Sequence, residues 1–234
     1  MFSGLSNSIK EKEWKPTGVP TIYKIIEKID SLNVSSRFVF TDWISNNNKT
    51  SLNLRINKKI KLRGLKSEIL LVSGLFFGEF FLKSKIMKIL IELKRQFSII
   101  FSVIKFNPNI IYVDRANVIT GAICARFLKK KVVFRIMGIY PSMWEILDSK
   151  NFFNVFLKWC FKSSFSLVIC TEDGSGGKQW MSKALKKSVR RISLLNGVDT
   201  FNPKKKDKLF LKKLGKKKIN ILFIGRFEKV KGCY

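Results

Sequence analysis

The sequence predicts an α/β fold built on a doubly wound, mostly parallel, Rossmann-like sheet that helices cover on both faces. Two observations predict it. Short apolar runs, typical of fully buried strands, alternate along the chain with stretches of helical character. Of the 234 residues, 46% are apolar and 21 are Phe, which is enough for a sizeable core. The right-handed crossover rule then favours a doubly wound arrangement.

The predicted elements alternate in order along the chain. Strands are predicted at 37–43, 109–114, 131–138, 166–171 and 191–197. Helices are predicted at 20–31, 78–105, 117–129, 151–163 and 176–187. The carboxyl ends of these strands carry glycines, acids and other polar residues, and ligands of such sheets bind at those ends. A ligand site is therefore expected at that edge, although the same residues also form ordinary turns.

The chain is strongly basic, with 46 Lys plus Arg against 16 Asp plus Glu and a formal net charge of +30. Such a field attracts polyanions, among them nucleic acid, acidic lipid headgroups and phosphorylated substrates. The lysines are spread along the whole chain rather than clustered. A general compositional bias is therefore the favoured source of the charge, ahead of a dedicated binding surface.

The cysteine and histidine content limits which metal sites and disulfides the chain can form. There is no histidine and no CxxC pair, so a zinc site is not expected. Three cysteines lie in apolar stretches and are predicted to be buried, reduced thiols, which fits a cytoplasmic protein. The first residues contain no apolar signal segment, and "MFSGLS" is predicted to form a short first strand.

The most apolar segment, residues 80–106, allows two interpretations. Charged residues interrupt it and its longest clean run has eight residues, so it is too short to span a bilayer. It can form an amphipathic helix that contacts the cytoplasmic face of an anionic membrane. It can equally form a core helix whose lysines extend to water, and this second interpretation is favoured.

The stretch "FIGRFEKVKG" (223–232) suggests phosphate chemistry. A predicted strand (219–225) ends in Gly225, which allows a tight turn, and Arg226 and Lys231 follow. Arg offers a planar fork of donors and Lys a mobile point charge. Together at a strand end they suit a diphosphate, although a basic chain also places such pairs by chance.

The wider context resembles the family 4 glycosyltransferases, enzymes of the two-domain GT-B type. "LLNGVDTFNP" (194–203) precedes a Lys-rich segment and then the strand that ends in "GR" with "KG" five residues later. "TGVPTIYKIIEKID" (17–30) and "CTEDGS" (170–175) also resemble parts of that family's first domain. The resemblance implies an N-terminal domain at 1–201, a linker at 202–218 and the start of a truncated donor-binding domain at 219–234.

The resemblance implies transfer of a sugar, of the hexosyl type, from a nucleotide-diphosphate sugar to a glycan or glycolipid acceptor in cell-surface polysaccharide biosynthesis. It implies retention of anomeric configuration, no metal and no cofactor beyond the nucleotide-sugar co-substrate. The fragment alone is expected to be inactive because half of the cleft is missing. The alternative is a basic protein that binds nucleic acid or another polyanion. No nucleic-acid motif is evident, so nucleic acid is not the expected partner.

The resemblance also assigns residues. Arg226 and Lys231 match the pair that binds the donor diphosphate, and the residues expected in the cleft loops are Gly18, Gly138, Asn196 and Gly197. Arg135 and Tyr140 are candidates on the acceptor side, although Tyr140 and Trp144 are favoured as packing residues. Met137 stands where the family often has a histidine, and no catalytic residue is identified. Glu172 and Asp173 are expected to cap a helix that begins near Gly174.

Overall fold

The computed structural model describes residues 3–17, 20–32, 34–41, 57–73 and 85–195. These residues all belong to one compact unit, Met1–Asn196. The predicted linker (202–218) and the predicted strand after it lie outside the described residues. The helices are α1 (Ser3–Glu11), α2 (Pro20–Ser31), α3 (Lys85–Phe106), α4 (Val118–Arg126), α5 (Pro141–Asp148), α6 (Phe152–Phe161) and α7 (Gly177–Ala184). The strands are β1 (Arg37–Thr41), β2 (Lys58–Ile60), β3 (Glu68–Val72), β4 (Ile110–Asp114), β5 (Lys131–Ile136), β6 (Leu167–Thr171) and β7 (Arg191–Leu194).

The α/β class and the parallel pairing are confirmed. Four strands form an all-parallel sheet in the order β4-β5-β6-β7. A second sheet has the order β1-β3-β2, in which β1 is parallel to β3 and β2 is antiparallel. The described strands thus form two sheets where one was expected, because no strand in the described ranges pairs with the free edges of β1 and β4.

The larger core lies between the four-stranded sheet and its helices. Alternate residues of β5, Val132, Phe134 and Ile136, are buried on this side, as the period of two of a strand requires. Phe134 stacks on Phe165, with ring centroids 5.0 Å apart, and Phe161 meets Trp180 edge to face at 4.9 Å. These contacts hold α6 and α7 on the sheet.

The opposite face of this sheet is less covered. Ile110 and Tyr112 at the β4 edge and Leu194 at the end of β7 are exposed. On the same face of the central strands, Arg135 and Thr171 are buried. The strand order of this sheet advances in one direction. Right-handed crossovers therefore place the helices that connect its successive strands on one side of the sheet.

The amino terminus corrects one expectation. "MFSGLS" was expected as a strand, but α1 runs through it from Ser3. Leu5 and Ile9 are four residues apart and therefore share one side of a helix, which packs into the smaller core around Ile26 and Ile69. Three further elements were not predicted from the sequence: β2, β3 and α5.

The bounds of the predicted elements otherwise agree closely. The α2 helix has the predicted bounds, and the described part of α3 starts at Lys85 within the predicted 78–105. Strand β5 ends at Ile136 rather than 138 because Gly138 turns away with φ of +136°. In the described part of the chain, no helix combines the length and the apolar character needed to cross a bilayer.

Asp30 connects α2 to the turn before β3. Its two carboxylate oxygens accept the backbone N–H groups of Lys66 and Ser67, each at 2.9 Å. Burial by itself raises the pKa of Asp30, but the hydrogen bonds from Lys66 and Ser67 outweigh it and hold the pKa below its ordinary value. The ionised form therefore stabilises the fold around the smaller core.

Asp30→Asn is expected to lower the free energy of unfolding at pH 7 by about 1–3 kcal/mol, because the amide NH₂ meets a backbone donor instead of accepting from it. In the unmodified chain this stabilisation is present above the unfolded pKa, about 3.9, and is lost as pH falls through the lower folded pKa. Urea unfolding between pH 3 and pH 7 measures both effects. Asp148→Asn, at an exposed carboxylate, is the control. Equal stability of D30N and D148N at pH 7 contradicts the prediction.

Gly121 of α4 sets the distance between that helix and β4. A Cβ at Gly121 would lie 2.8 Å from Cγ2 of Val113, closer than side chains pack. Gly121→Val is therefore expected to destabilise the chain by about 1–3 kcal/mol through overpacking. In the double variant with Val113→Ala, the loss is expected to be smaller than the sum of the two single losses, as measured by urea unfolding. If the two single losses of stability simply add, the contact between positions 121 and 113 is not the cause of the destabilisation.

Candidate functional site

The carboxyl ends of β4, β5 and β6 bring three loops together at one edge of the parallel sheet, because parallel strands all point the same way. We call this region the carboxyl edge, formed by residues 114–117, 137–140 and 172–176. Three of the predicted site residues are described there or directly beneath it: Arg135, Gly138 and Tyr140. The other predicted site residues lie outside the described residues: Gly18, Asn196, Gly197, Arg226 and Lys231.

Arg135 lies just beneath the carboxyl edge on β5. Its guanidinium donates to Thr171 Oγ1 at 2.8 Å, and only 6% of the residue is exposed. In the sheet register it stands beside Asp114. Burial raises the pKa of Tyr112, an effect that Arg135 opposes and Asp114 reinforces. Arg135 therefore places a positive charge under the edge, with neighbours from β4 and β6, rather than an open side chain at the surface.

Gly138 is where the loop after β5 meets the loop after β6. A Cβ there would lie 2.5 Å from Asp173 Oδ2, and the φ of +136° is one that side chains rarely adopt. Ser175 Oγ accepts from the backbone N–H of Ile139 at 2.8 Å and donates to Asp173 Oδ1. The two loops are thereby fixed to each other.

The expectation that Glu172 and Asp173 cap a helix near Gly174 is wrong. Helix α7 begins at Gly177, and its N-cap residue makes no side-chain cap. Asp173 instead accepts from the backbone N–H of Ser175 at 3.1 Å, which closes a local turn. Glu172 forms an exposed ion pair with Lys178 at 2.9 Å. Gly174 and Gly176, both at positive φ, let the chain turn before the helix starts.

Tyr140 and Trp144 have different environments, although packing was favoured for both. Trp144 does pack, against Gly176 and beneath the ammonium of Lys183, which lies 5.5 Å from its ring centroid. Tyr140 is 56% exposed, and the guanidinium carbon of Arg115 lies 5.1 Å from its ring centroid. An exposed aromatic ring can stack on a sugar while the cation beside it binds an anionic group.

Two residues of the site were not identified from the sequence. Arg115 follows β4 directly, and its position in "VDRAN" at a strand end was a signal that could have found it. Thr21, in the first turn of α2, donates to Met137 Sδ at 3.9 Å. This contact brings the start of α2 to the end of β5. The two residues are 116 positions apart, and no sequence pattern predicts that they meet.

The three cysteines that the structure describes do not supply a nucleophile. Cys124, Cys160 and Cys170 are free and buried, as predicted. Burial raises the pKa of the first two to about 11 and that of Cys170 above its usual value, so the thiols stay protonated. Within the described ranges no group of three or more Cys, Asp and Glu residues is placed to hold a metal ion.

Comparison of this chain with family models, with curated proteins and with solved structures finds no match. The resemblance to glycosyltransferases therefore depends on the sequence motifs alone. The carboxyl edge has to be interpreted from its own geometry.

Gly138→Ala is expected to destabilise the chain more than Gly174→Ala. At Gly174 the φ of +80° is near the left-handed helical region, which costs an alanine about 1–2 kcal/mol, whereas the φ of +136° at Gly138 is further from any region that alanine adopts. Only at Gly138 does the new methyl also meet the Asp173 carboxylate, whereas nothing lies within 4 Å at Gly174. The larger loss at Gly138 therefore reports the close approach of the loops together with a backbone conformation that is less accessible to alanine. Equal losses would show that the loops separate freely.

Proposed function

We propose that this chain forms the acceptor-side part of a GT-B glycosyltransferase. The enzyme transfers a sugar from a nucleotide-diphosphate sugar to a glycan or glycolipid during cell-surface polysaccharide biosynthesis. One observation carries the proposal: "LLNGVD" is followed, after a Lys-rich segment, by "FIGRFEKVKG". The structure adds support, since β7 is a parallel strand that ends at Leu194, two residues before Asn196. The motif thus begins at the carboxyl end of β7, and ligands of parallel sheets bind at the carboxyl ends of the strands.

In the proposed mechanism, Arg226 and Lys231 stabilise the charge that develops on the leaving nucleoside diphosphate. The acceptor lies over the carboxyl edge, where the Tyr140 ring stacks on a sugar face and Arg115 donates to its hydroxyl or anionic groups. Arg135 adds a fixed positive charge beneath. The proposed reaction retains anomeric configuration, requires no metal ion and takes place at the cytoplasmic face of the membrane.

The second candidate is a protein that binds nucleic acid or another polyanion, which the net charge of +30 favours. The carboxyl edge argues against it as the binding region. Arg115 and Arg135 stand there among Asp114, Glu172 and Asp173, so the edge has mixed charge. A polyanion site needs a continuous basic band.

Arg226→Gln with Lys231→Gln is expected to weaken the binding of UDP or GDP by about tenfold or more, since charge-assisted hydrogen bonds to the diphosphate are lost. Isothermal titration of the full chain measures binding directly and does not require turnover. Lys213→Gln with Lys216→Gln is the matched control: it also removes two positive charges, from the predicted linker.

The two double variants separate the candidates. If nucleotide binding falls only in the Arg226 and Lys231 variant, the diphosphate site is supported. If both variants lose affinity equally, and RNA binds with a strong dependence on salt, the polyanion function replaces it. Unchanged binding in the Arg226 and Lys231 variant contradicts the proposed donor site.

A further inference from the structure

Helix α3 exposes an apolar stripe on the side that faces away from the core. Its buried side is formed by residues such as Ile91, Ile99 and Val103. Six large apolar residues are nevertheless exposed: Ile89, Leu90, Leu93, Phe97, Phe101 and Ile104. Their spacing of three and four residues places them in one stripe along the helix, about 20 Å long. The core-helix interpretation of this segment therefore accounts for only one of its sides.

A second apolar stripe lies on α6. Phe152, Val155 and Trp159 are exposed and share one side of that helix, and Phe152 is 89% exposed. Phe127, at the end of α4, is also exposed, and its ring centroid lies 6.3 Å from that of Trp159. The α6 stripe therefore continues onto α4.

The three helices form one layer, which joins the two stripes. Helix α3 packs against α4, and α4 packs against α6. Gln96 of α3 accepts from the Thr120 hydroxyl of α4. The guanidinium of Arg126 donates to the carbonyls of Trp159 and Lys162 at 2.8 and 2.9 Å. We call the exposed apolar side of this layer the outer helix face.

Lysines lie beside the apolar stripe of the outer helix face. Not every basic residue of the three helices is at this face: Arg95 is buried, and Arg126 and Lys158 donate to backbone carbonyls. The acid of α3, Glu92, bonds to Arg95 and Gln96 within the helix. Lys94 and Lys105 follow Leu90 and Phe101 by four residues, and thus lie next to the stripe. Lysines in such positions extend their charge to the rim of a buried apolar surface.

We propose that the outer helix face docks on the surface of an anionic lipid bilayer. Phe and Trp side chains beside lysines match the boundary between acyl chains and acidic headgroups. The helices lie on that surface, because their other sides are held by the protein core. A second copy of the chain is a poor occupant, since two chains of net charge +30 repel each other. This proposal does not depend on sugar transfer, and its test has a separate readout.

The test is co-sedimentation of the full chain with vesicles of phosphatidylcholine alone or mixed with phosphatidylglycerol. Binding is expected only to the mixed vesicles and is expected to weaken as salt is raised. Phe97→Ser with Phe101→Ser is expected to reduce partitioning about tenfold or more, because two exposed rings no longer enter the bilayer. Lys105 and Lys162 are exposed at the carboxyl ends of α3 and α6. Lys105→Glu with Lys162→Glu is expected to weaken binding to the mixed vesicles, because it reverses two charges that attract phosphatidylglycerol.

Leu32→Ser with Val34→Ser is the matched control, since both residues are exposed apolar positions outside the outer helix face. All substituted residues are exposed, and circular dichroism checks that each variant folds. Binding that is unaffected by the Phe97 and Phe101 substitutions overturns the proposal, as does absence of binding to either vesicle. Sedimentation velocity gives the remaining outcome: self-association that the same two substitutions abolish assigns the face to a second copy instead.

Discussion

Parallel pairing of β4, β5, β6 and β7 is the constraint on which the rest of the described structure depends. Because each strand pairs with the next one along the chain, every crossover runs in the same direction. Right-handed crossovers then place the connecting helices on one side and all carboxyl ends at one edge. The larger core, the carboxyl edge and the placement of α4 and α6 in the outer helix face are three consequences of this single arrangement.

The carboxyl edge consists of loops that are fixed to each other and of side chains beside them that are exposed to solvent. Gly138, Asp173 and Ser175 fix two loops to each other at distances that leave no room for a side chain at the glycine. Arg115 and Tyr140 stand at the surface beside these loops and contact each other. A site of this kind holds its backbone in place while its exposed ring and guanidinium meet a ligand, which suits recognition of a sugar bearing hydroxyl or anionic groups.

Burial and exposure of apolar groups divide the helix layer into two surfaces. The inner surface packs on the sheet through residues such as Phe134 and Phe161. The outer surface presents large apolar side chains to solvent, among them Phe97, Phe101 and Phe152, with lysines beside them. Monomeric proteins rarely expose continuous apolar surface of this extent without an interaction that covers it. The basic charge, which by itself has a compositional explanation, gains a specific meaning where it lies beside such a surface.

The sequence by itself determined the α/β class, the parallel strands and most helix positions, because the alternation of apolar runs with helical periodicity is local information. It also supplied the motif from Asn196 to Lys231 on which the proposed sugar transfer depends. It did not reveal β3, because "EILLV" is short and lies beside Lys-rich segments, nor α1, whose two apolar residues bury one side only in the tertiary structure.

Only the tertiary structure decided which residues meet. The contacts of Arg135 with Thr171, of Arg115 with Tyr140 and of Thr21 with Met137 join positions far apart in sequence, and no local pattern encodes them. It also decided that α3 is apolar on both its buried and its exposed side. Hydropathy reports how apolar a segment is, whereas the packing of neighbouring elements determines which of its surfaces remains open to a partner.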